Sequence, residues 1–309
     1  MSPSELLYIP VATGVELAAT SFGKKGDPVV VLMHGAGQTR HSWRKAGLCL
    51  AASGWHAIAV DTRGHGDSDW SPDGDYSVDT LVSDLIAIIA HVATGGMQKP
   101  VLAGASLGGI CAMLAQGESA RQLFHSLVLV DITPRIDNTG VARIIEFMNR
   151  HQAGFASLAE AAQAVAVYQS QTGAAQSSRN NPEDSKAARK ADGLKKNLRL
   201  ADDGRYYWHW DPRLMQHIGI IDEAFYQRQR SAASKLELPV LLIRGQQSEI
   251  VSREAVEEFL ELVPAAQFRD IANAAHMVAG DSNDIFSRTV LEFIGAAPAA
   301  GPLMEDADP

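Results

Sequence analysis

Short apolar runs that stop at glycine turns, spaced by helix-length segments, constrain this chain more than any other feature. Val29-Val30-Val31-Leu32-Met33 ends in His34-Gly35, and Ala57-Ile58-Ala59-Val60 ends in Asp61-Thr62-Arg63-Gly64. Val101-Leu102-Ala103 and Leu127-Val128-Leu129-Val130 repeat the pattern, preceded by helical apolar spacing over 78–92 and 107–115. An apolar run without alternation is buried on both faces, as in a strand inside a parallel sheet. Such runs alternating with helices predict βα units and an α/β fold, a mostly parallel sheet wrapped by helices.

The rhythm breaks between about 134 and 235, where no comparable strand appears and the segment reads as helices with polar joints. Residues 141–151 have helical apolar spacing, 158–168 is Ala-rich, and 171–190 is polar with an Asn180-Asn181-Pro182 break. The aromatic knot Tyr206-Tyr207-Trp208-His209-Trp210-Asp211-Pro212 follows, and so large an apolar cluster must face a core or a ligand. The βα rhythm then returns with a strand from Pro239 into Gly245, a helix over 253–262, a last strand over 267–271 and a closing helix over 283–294. The expected organisation is a core formed by 1–134 and 236–295, an inserted unit over 135–235, and a disordered tail over 296–309.

Composition narrows the functional classes. With 46% apolar and 20% charged residues the chain has an ordinary globular balance, and its formal charge of −9 gives no basic field for phosphates. No Lys/Arg cluster is interleaved with aromatics, so no nucleic-acid partner is expected. The segment MSPSELLYIPVATG has no cationic head before an apolar core, and no stretch approaches a bilayer-spanning length, so no membrane association and a cytoplasmic location are expected. The two cysteines, Cys49 and Cys111, lie in apolar helical patterns and read as small buried hydrophobes. The glycine turns do not form G-x-x-x-x-G-K-[ST], and no His or Cys pair at ligand spacing has a third ligand. Neither a metal nor a cofactor is expected, and the partner is a small-molecule substrate.

Gly104-Ala105-Ser106-Leu107-Gly108 sits directly after an apolar strand and before a helix-compatible run. A nucleophile held in a strand-to-helix turn needs small residues two before and two after, so that neighbouring backbone passes without Cβ clashes. Ser106 is therefore the expected nucleophile. The Leu107 amide, at a helix start where N–H groups lack intrahelical partners, is suited to a developing oxyanion. A second donor is expected from the His34-Gly35-Ala36-Gly37 turn, through the amide of Ala36. His34 and His65 read as braces of their own turns. Among ten histidines, His276 in Ala275-His276-Met277 follows the last strand and precedes the closing helix, the place for a general base. Two carboxylates end strands on the same side and keep the chain order Ser, acid, His: Glu249, after the strand that follows the insertion, and Asp131, after the strand before it. Glu249 is preferred and Asp131 is kept as the alternative.

Together, His34-Gly35-Ala36-Gly37, Arg63-Gly64-His65-Gly66-Asp67-Ser68, Gly104-Ala105-Ser106-Leu107-Gly108-Gly109 and Ala275-His276-Met277 resemble the α/β-hydrolase superfamily, in the branch of esterases, epoxide hydrolases, cofactor-free haloperoxidases and carbon–carbon bond hydrolases. The resemblance covers nearly everything but the insertion and tail. It implies an eight-stranded, mostly parallel sheet with the insertion as a helical cap. Ser106 stands where the epoxide and haloalkane enzymes of this branch carry Asp, which argues against both, since an alkyl-enzyme ester needs a carboxylate nucleophile. The usual acid after the cap is an Asp directly in the turn, where this chain has Ser248-Glu249. The implied activity is cleavage of a small, partly apolar carboxylic ester through an acyl-enzyme, with Trp43, Tyr207, Trp208 and Trp210 as candidate pocket residues. The same residues would also serve lactone hydrolysis, carbon–carbon bond cleavage or perhydrolysis of the haloperoxidase kind, and a ligand receptor on a hydrolase scaffold is the alternative of another class.

Overall fold

The structure, a computed structural model, describes residues 4–93, 98–171, 193–218, 222–272 and 283–295. Its centre is an eight-stranded sheet, built from β1 (Glu5–Pro10), β2 (Glu16–Phe22), β3 (Val29–Met33), β4 (His56–Val60), β5 (Val101–Ala105), β6 (Ser126–Val130), β9 (Val240–Gly245) and β10 (Gln267–Ile271). The spatial order is β1-β2-β4-β3-β5-β6-β9-β10. All pairings from β4 through β10 are parallel, and only β1 with β2 and β2 with β4 are antiparallel. The sheet is therefore mostly parallel and eight-stranded, as the motifs imply.

Period-2 alternation splits each central strand between two layers. Val29, Val31, Met33, Leu102, Leu127, Leu129, Val240 and Leu242 face one layer, into which α2 (Val78–Val92), α3 (Leu107–Gly117) and α7 (Arg253–Leu262) pack. Val30, Leu32, Ala57, Ala59, Ala103, Val128 and Ile243 face the other, covered by α1 (Arg44–Ala52) and α8 (Asn283–Ile294) through Leu50, Phe286 and Val290. Burial on both faces explains why these strands read as continuous apolar runs. The β1 strand has Leu6 and Tyr8 about half exposed and lies at the sheet edge, so it lacks the run that makes the central strands legible.

Between β6 and β9 the chain forms α4 (Asn138–Arg150), α5 (Leu158–Gln171), a short ladder of β7 (Leu198–Leu200) with β8 (Tyr206–Trp208), and α6 (Glu223–Ala233). The ladder corrects the expectation of a strand-free insertion: Tyr206, Tyr207 and Trp208 are a β-favouring run, and each pairs across to the 198–200 segment. The helices start at polar caps, with Asp137 accepting the amides of Thr139 and Gly140 at α4 and Asp222 accepting that of Phe225 at α6. The α6 helix packs on α3 of the body, where the Gly117 backbone lies so close to Ala232 that a Cβ would stand 2.2 Å from its carbonyl oxygen. Cys111 is buried in α3, its thiol pushed up to about 12 by burial, and Cys49 is half-buried in α1. Among the described residues no helix is long and apolar enough to cross a membrane. The 296–309 tail lies outside the described residues.

Candidate active site

The carboxyl ends of β3, β5, β6 and β9 bring the sequence-singled residues to one edge of the sheet. Ser106 follows β5 directly and starts α3, with φ 48° and ψ −114°. A positive φ costs a non-glycine residue about 1–3 kcal/mol and persists where surrounding structure enforces it. The enforcing contacts run through the flanking glycines. A Cβ at Gly104 would stand 2.5 Å from Gly108 O, one at Gly108 would stand 2.7 Å from Met33 O, and one at Gly109 would stand 2.5 Å from Ile132 Cγ2. The Ser106 amide donates to Val130 O at 3.0 Å, and its carbonyl accepts the Ile110 amide at 2.9 Å. The turn is thereby pinned between β6 and the first turn of α3. Leu107 is the first helical residue, so its amide has no acceptor within the helix.

The β3 turn packs onto this elbow, since a Cβ at Gly35 would stand 3.1 Å from Ser106 Cβ. Two buried imidazoles hold its backbone. His34 donates through Nδ1 to Gly35 O (2.8 Å) and accepts the Thr62 amide at Nε2 (3.0 Å). His65 accepts the Gly37 amide at Nε2 (3.1 Å), leaving Nδ1 to face Thr62 Oγ1 and Arg63 O. Both rings must stay neutral to accept these amides, and burial lowers His34 to about 4 and His65 to about 3. The brace continues outward: Arg40 pairs with buried Asp61 and reaches Asp67 at 2.7 Å. Ala36, between Gly35 and Gly37, thus sits on a backbone fixed from both sides.

The two carboxylates differ sharply in surroundings. Asp131 follows β6, is fully buried, and has φ 51°. Ser106 and Asp131 are the two non-glycine residues with positive φ among the described residues. They stand side by side, because Ala105 pairs with Val130. Asp131 Oδ1 accepts the Gly245 amide (3.2 Å) and Oδ2 accepts the Ser248 hydroxyl (2.6 Å). Glu249 turns toward the inserted unit: Oε1 accepts the Tyr168 hydroxyl of α5 (2.6 Å), and Arg143 of α4 approaches Oε2 at 3.9 Å. Burial and then the bond to Glu249 push the Tyr168 hydroxyl well above the usual phenol range. His276 lies outside the described residues.

The α4 helix spans these features. At its start a Cβ on Gly140 would stand 2.2 Å from Glu249 O, and near its end Met148 Cε lies where a Cβ on Gly37 would be, at 2.6 Å. Of the aromatic candidates, Trp210 is buried beside Met148, Leu214 and Tyr76, with Nε1 3.8 Å from the Gly37 Cβ position. Trp208 is half-buried and meets Phe147 and Phe155 edge-on. Tyr207 bonds through its hydroxyl to exposed Asp203 on the β7–β8 turn. Trp43 is buried against Phe286 in the α1 and α8 layer, away from the other three. Phe147 and Tyr168, whose rings lie 4.7 Å apart, join this aromatic group without having been singled out in the sequence. Their signal was present only as ordinary helical spacing.

The comparisons with known proteins agree with this architecture. The sequence model of the alpha/beta hydrolase fold matches residues 28–282. An esterase of Mycobacterium tuberculosis, Rv0045c, is 29% identical over 257 residues, covering 81% of this chain and 77% of that protein. The sn-1-specific diacylglycerol lipase ABHD11 of Mus musculus is 27% identical over 272 residues, covering 86% and 81%. Among solved structures, E-2-(acetamidomethylene)succinate hydrolase superposes with a TM-score of 0.76 at 23% identity, covering 94% of this chain and 99% of that one. With a family match over most of its length, this chain belongs to the α/β-hydrolase family and is a hydrolase.

Proposed function

We propose that this chain is a serine esterase that cleaves small, partly apolar carboxylic esters through an acyl-enzyme, with Ser106 as nucleophile, His276 as base and Asp131 as the orienting acid. The observation that carries the reading is the pair of strained, adjacent residues Ser106 and Asp131 at the ends of β5 and β6. The reach of the chain supports His276. Strands lie about 4.8 Å apart, so β10 is about 10 Å from β6. The chain from Ala272 to His276 can extend to about 14 Å.

Asp131 is preferred to Glu249 on its surroundings. It is buried beside the nucleophile turn and fixed there by its neighbours, whereas Glu249 turns away toward Tyr168 and Arg143 of the inserted unit. In the proposed reaction the Ser106 oxygen attacks the ester carbonyl as its proton passes to His276. The oxyanion is held by the Ala36 and Leu107 amides, and the imidazolium, stabilised by Asp131, protonates the leaving alcohol. Water, deprotonated by the same imidazole, then releases the acid. Phe147, Met148, Trp208 and Trp210 supply the apolar surroundings of the substrate.

The relatives named as an esterase and a lipase support ester chemistry. The test is a panel of short p-nitrophenyl esters with fluorophosphonate labelling. Turnover and labelling, both abolished in Ser106→Ala, are expected. A protein that labels but turns over no ester would overturn the ester assignment, and one that does not label would overturn the nucleophile.

A further inference from the structure

The hydroxyl of Ser248 occupies an unusual place beside the acid. Its oxygen accepts two backbone amides, from Ile250 at 3.3 Å and Val251 at 3.1 Å. Its proton goes to Asp131 Oδ2 at 2.6 Å. With both lone pairs of the hydroxyl facing amides, the rotor is fixed and its single proton points at the carboxylate. The Ser248 amide donates to Gly245 O at 2.9 Å, closing a tight turn, and the Gly245 amide holds the other carboxylate oxygen. The Asp131 amide in turn donates to Ile243 O at 2.7 Å. Backbone and side chain of the acid are thus both gripped by the strand and turn that follow the insertion, although Asp131 itself belongs to the strand before it.

We propose that Ser248 is a positioning residue for Asp131, aiming and moderating the carboxylate that orients His276. This rests on the triad assigned above. The hydroxyl locks the carboxylate plane, so that the imidazolium formed in each half-reaction meets an acceptor that needs no reorientation. It also shares the negative charge, so that the imidazolium is held less tightly and the imidazole stays able to give up its proton. Among the described residues, the titratable and charged groups around this loop include Glu249, the next residue, with Tyr168 of α5 and Arg143 of α4 on it rather than on Asp131, Asp137, whose amide donates to Ile250 O, and Arg244, which donates to Val251 O and pairs with Asp270.

The experiment measures kcat, KM and the pH dependence of kcat/KM on a p-nitrophenyl ester for Asp131→Asn, Ser248→Ala, Ser248→Cys and Ser248→Thr, alongside thermal melts. Losing a hydrogen bond to a charged group corresponds to about a 10- to 100-fold fall in kcat for Ser248→Ala, with KM little changed. The acid limb of kcat/KM moves to higher pH in Ser248→Ala and in Ser248→Cys, whose thiol keeps the volume and donates weakly. Ser248→Thr, which keeps the hydroxyl, recovers most of the rate. If Asp131→Asn is nearly inactive while the Ser248 variants keep the wild-type kcat and acid limb, the role of Ser248 is refuted and the triad stands. A rate loss that tracks the melting temperature with an unmoved acid limb refutes it equally. If Asp131→Asn keeps most of the activity, the acid assignment itself fails, whatever Ser248 does.

Discussion

Lowering the pH from 7 to 5 perturbs the two imidazoles beneath the β3 turn through the unfolded state. His34 and His65 are fully buried and accept backbone amides, and their values of about 4 and 3 lie well below the usual 6.5. Above pH 6.5 both states hold the rings neutral and nothing is lost. Between 6.5 and about 4 the unfolded chain binds protons that the folded chain refuses, so stability falls as the pH falls. At pH 5 each ring forfeits about 2 kcal/mol, from roughly 1.5 pH units at about 1.4 kcal/mol each, and the pair about 4 kcal/mol. That is a large part of the 5–15 kcal/mol by which a domain is usually stable. The rings of His41, His56, His151 and His209 are lowered by burial as well and act with the same sign. Carboxylates held low, such as Asp67 and Asp211, act as the pH falls through about 4, and Asp84, raised by burial, acts with the opposite sign. Urea unfolding at pH 7 and 5 measures the effect, and His65→Gln, which keeps an acceptor for Gly37 without a titrating ring, should remove about half of the loss due to the pair. Equal stability at both pH values, or NMR signals of the His34 and His65 rings titrating near 6.5 in the folded protein, would refute the reasoning.

Two further outcomes follow from packing. Gly108→Ala drives a methyl against Met33 O and His34 O and should cost at least about 1–3 kcal/mol by urea unfolding, with loss of ester turnover; an unchanged midpoint would contradict the close approach. A thiol reagent such as DTNB should react with Cys49 alone in the native protein and with both cysteines after denaturation, because Cys111 is buried with its thiol raised to about 12.

Much of the central fold is legible in the sequence because strands buried on both faces cannot alternate. The runs from Val29, Val101 and Leu127 become β3, β5 and β6 within a few residues of the expected bounds. The elbow around Ser106 is equally legible, since only glycine fits at 104 and 108. The β1 strand and the β7–β8 ladder escape notice because they are edge or surface elements whose pairing is a tertiary matter, and the interior β2 because its Ala-, Thr- and Ser-rich run is too weakly apolar to stand out. The surroundings of the two acids are illegible for a related reason. Position in the chain treats Glu249 and Asp131 alike, and only the fold reveals that one faces Tyr168 and the other the Ser248 hydroxyl. Trp43 looked like a pocket residue from its nearness to the β3 turn, yet the short 3-10 segment Arg40–Trp43 swings it into the opposite layer against Phe286.

The α4 helix crosses the sheet edge from Glu249 at Gly140 to Gly37 at Met148. Eight residues of helix rise about 12 Å, close to the roughly 14 Å that separates the outer two of the four strands β3, β5, β6 and β9. The helix therefore acts as a beam resting on two fixed supports, and it cannot be raised at one end without parting a contact at the other. Val141, Ile144 and Phe147 lie along the span between the supports. Trimming those side chains should change the packing beneath the beam while leaving both supports in place.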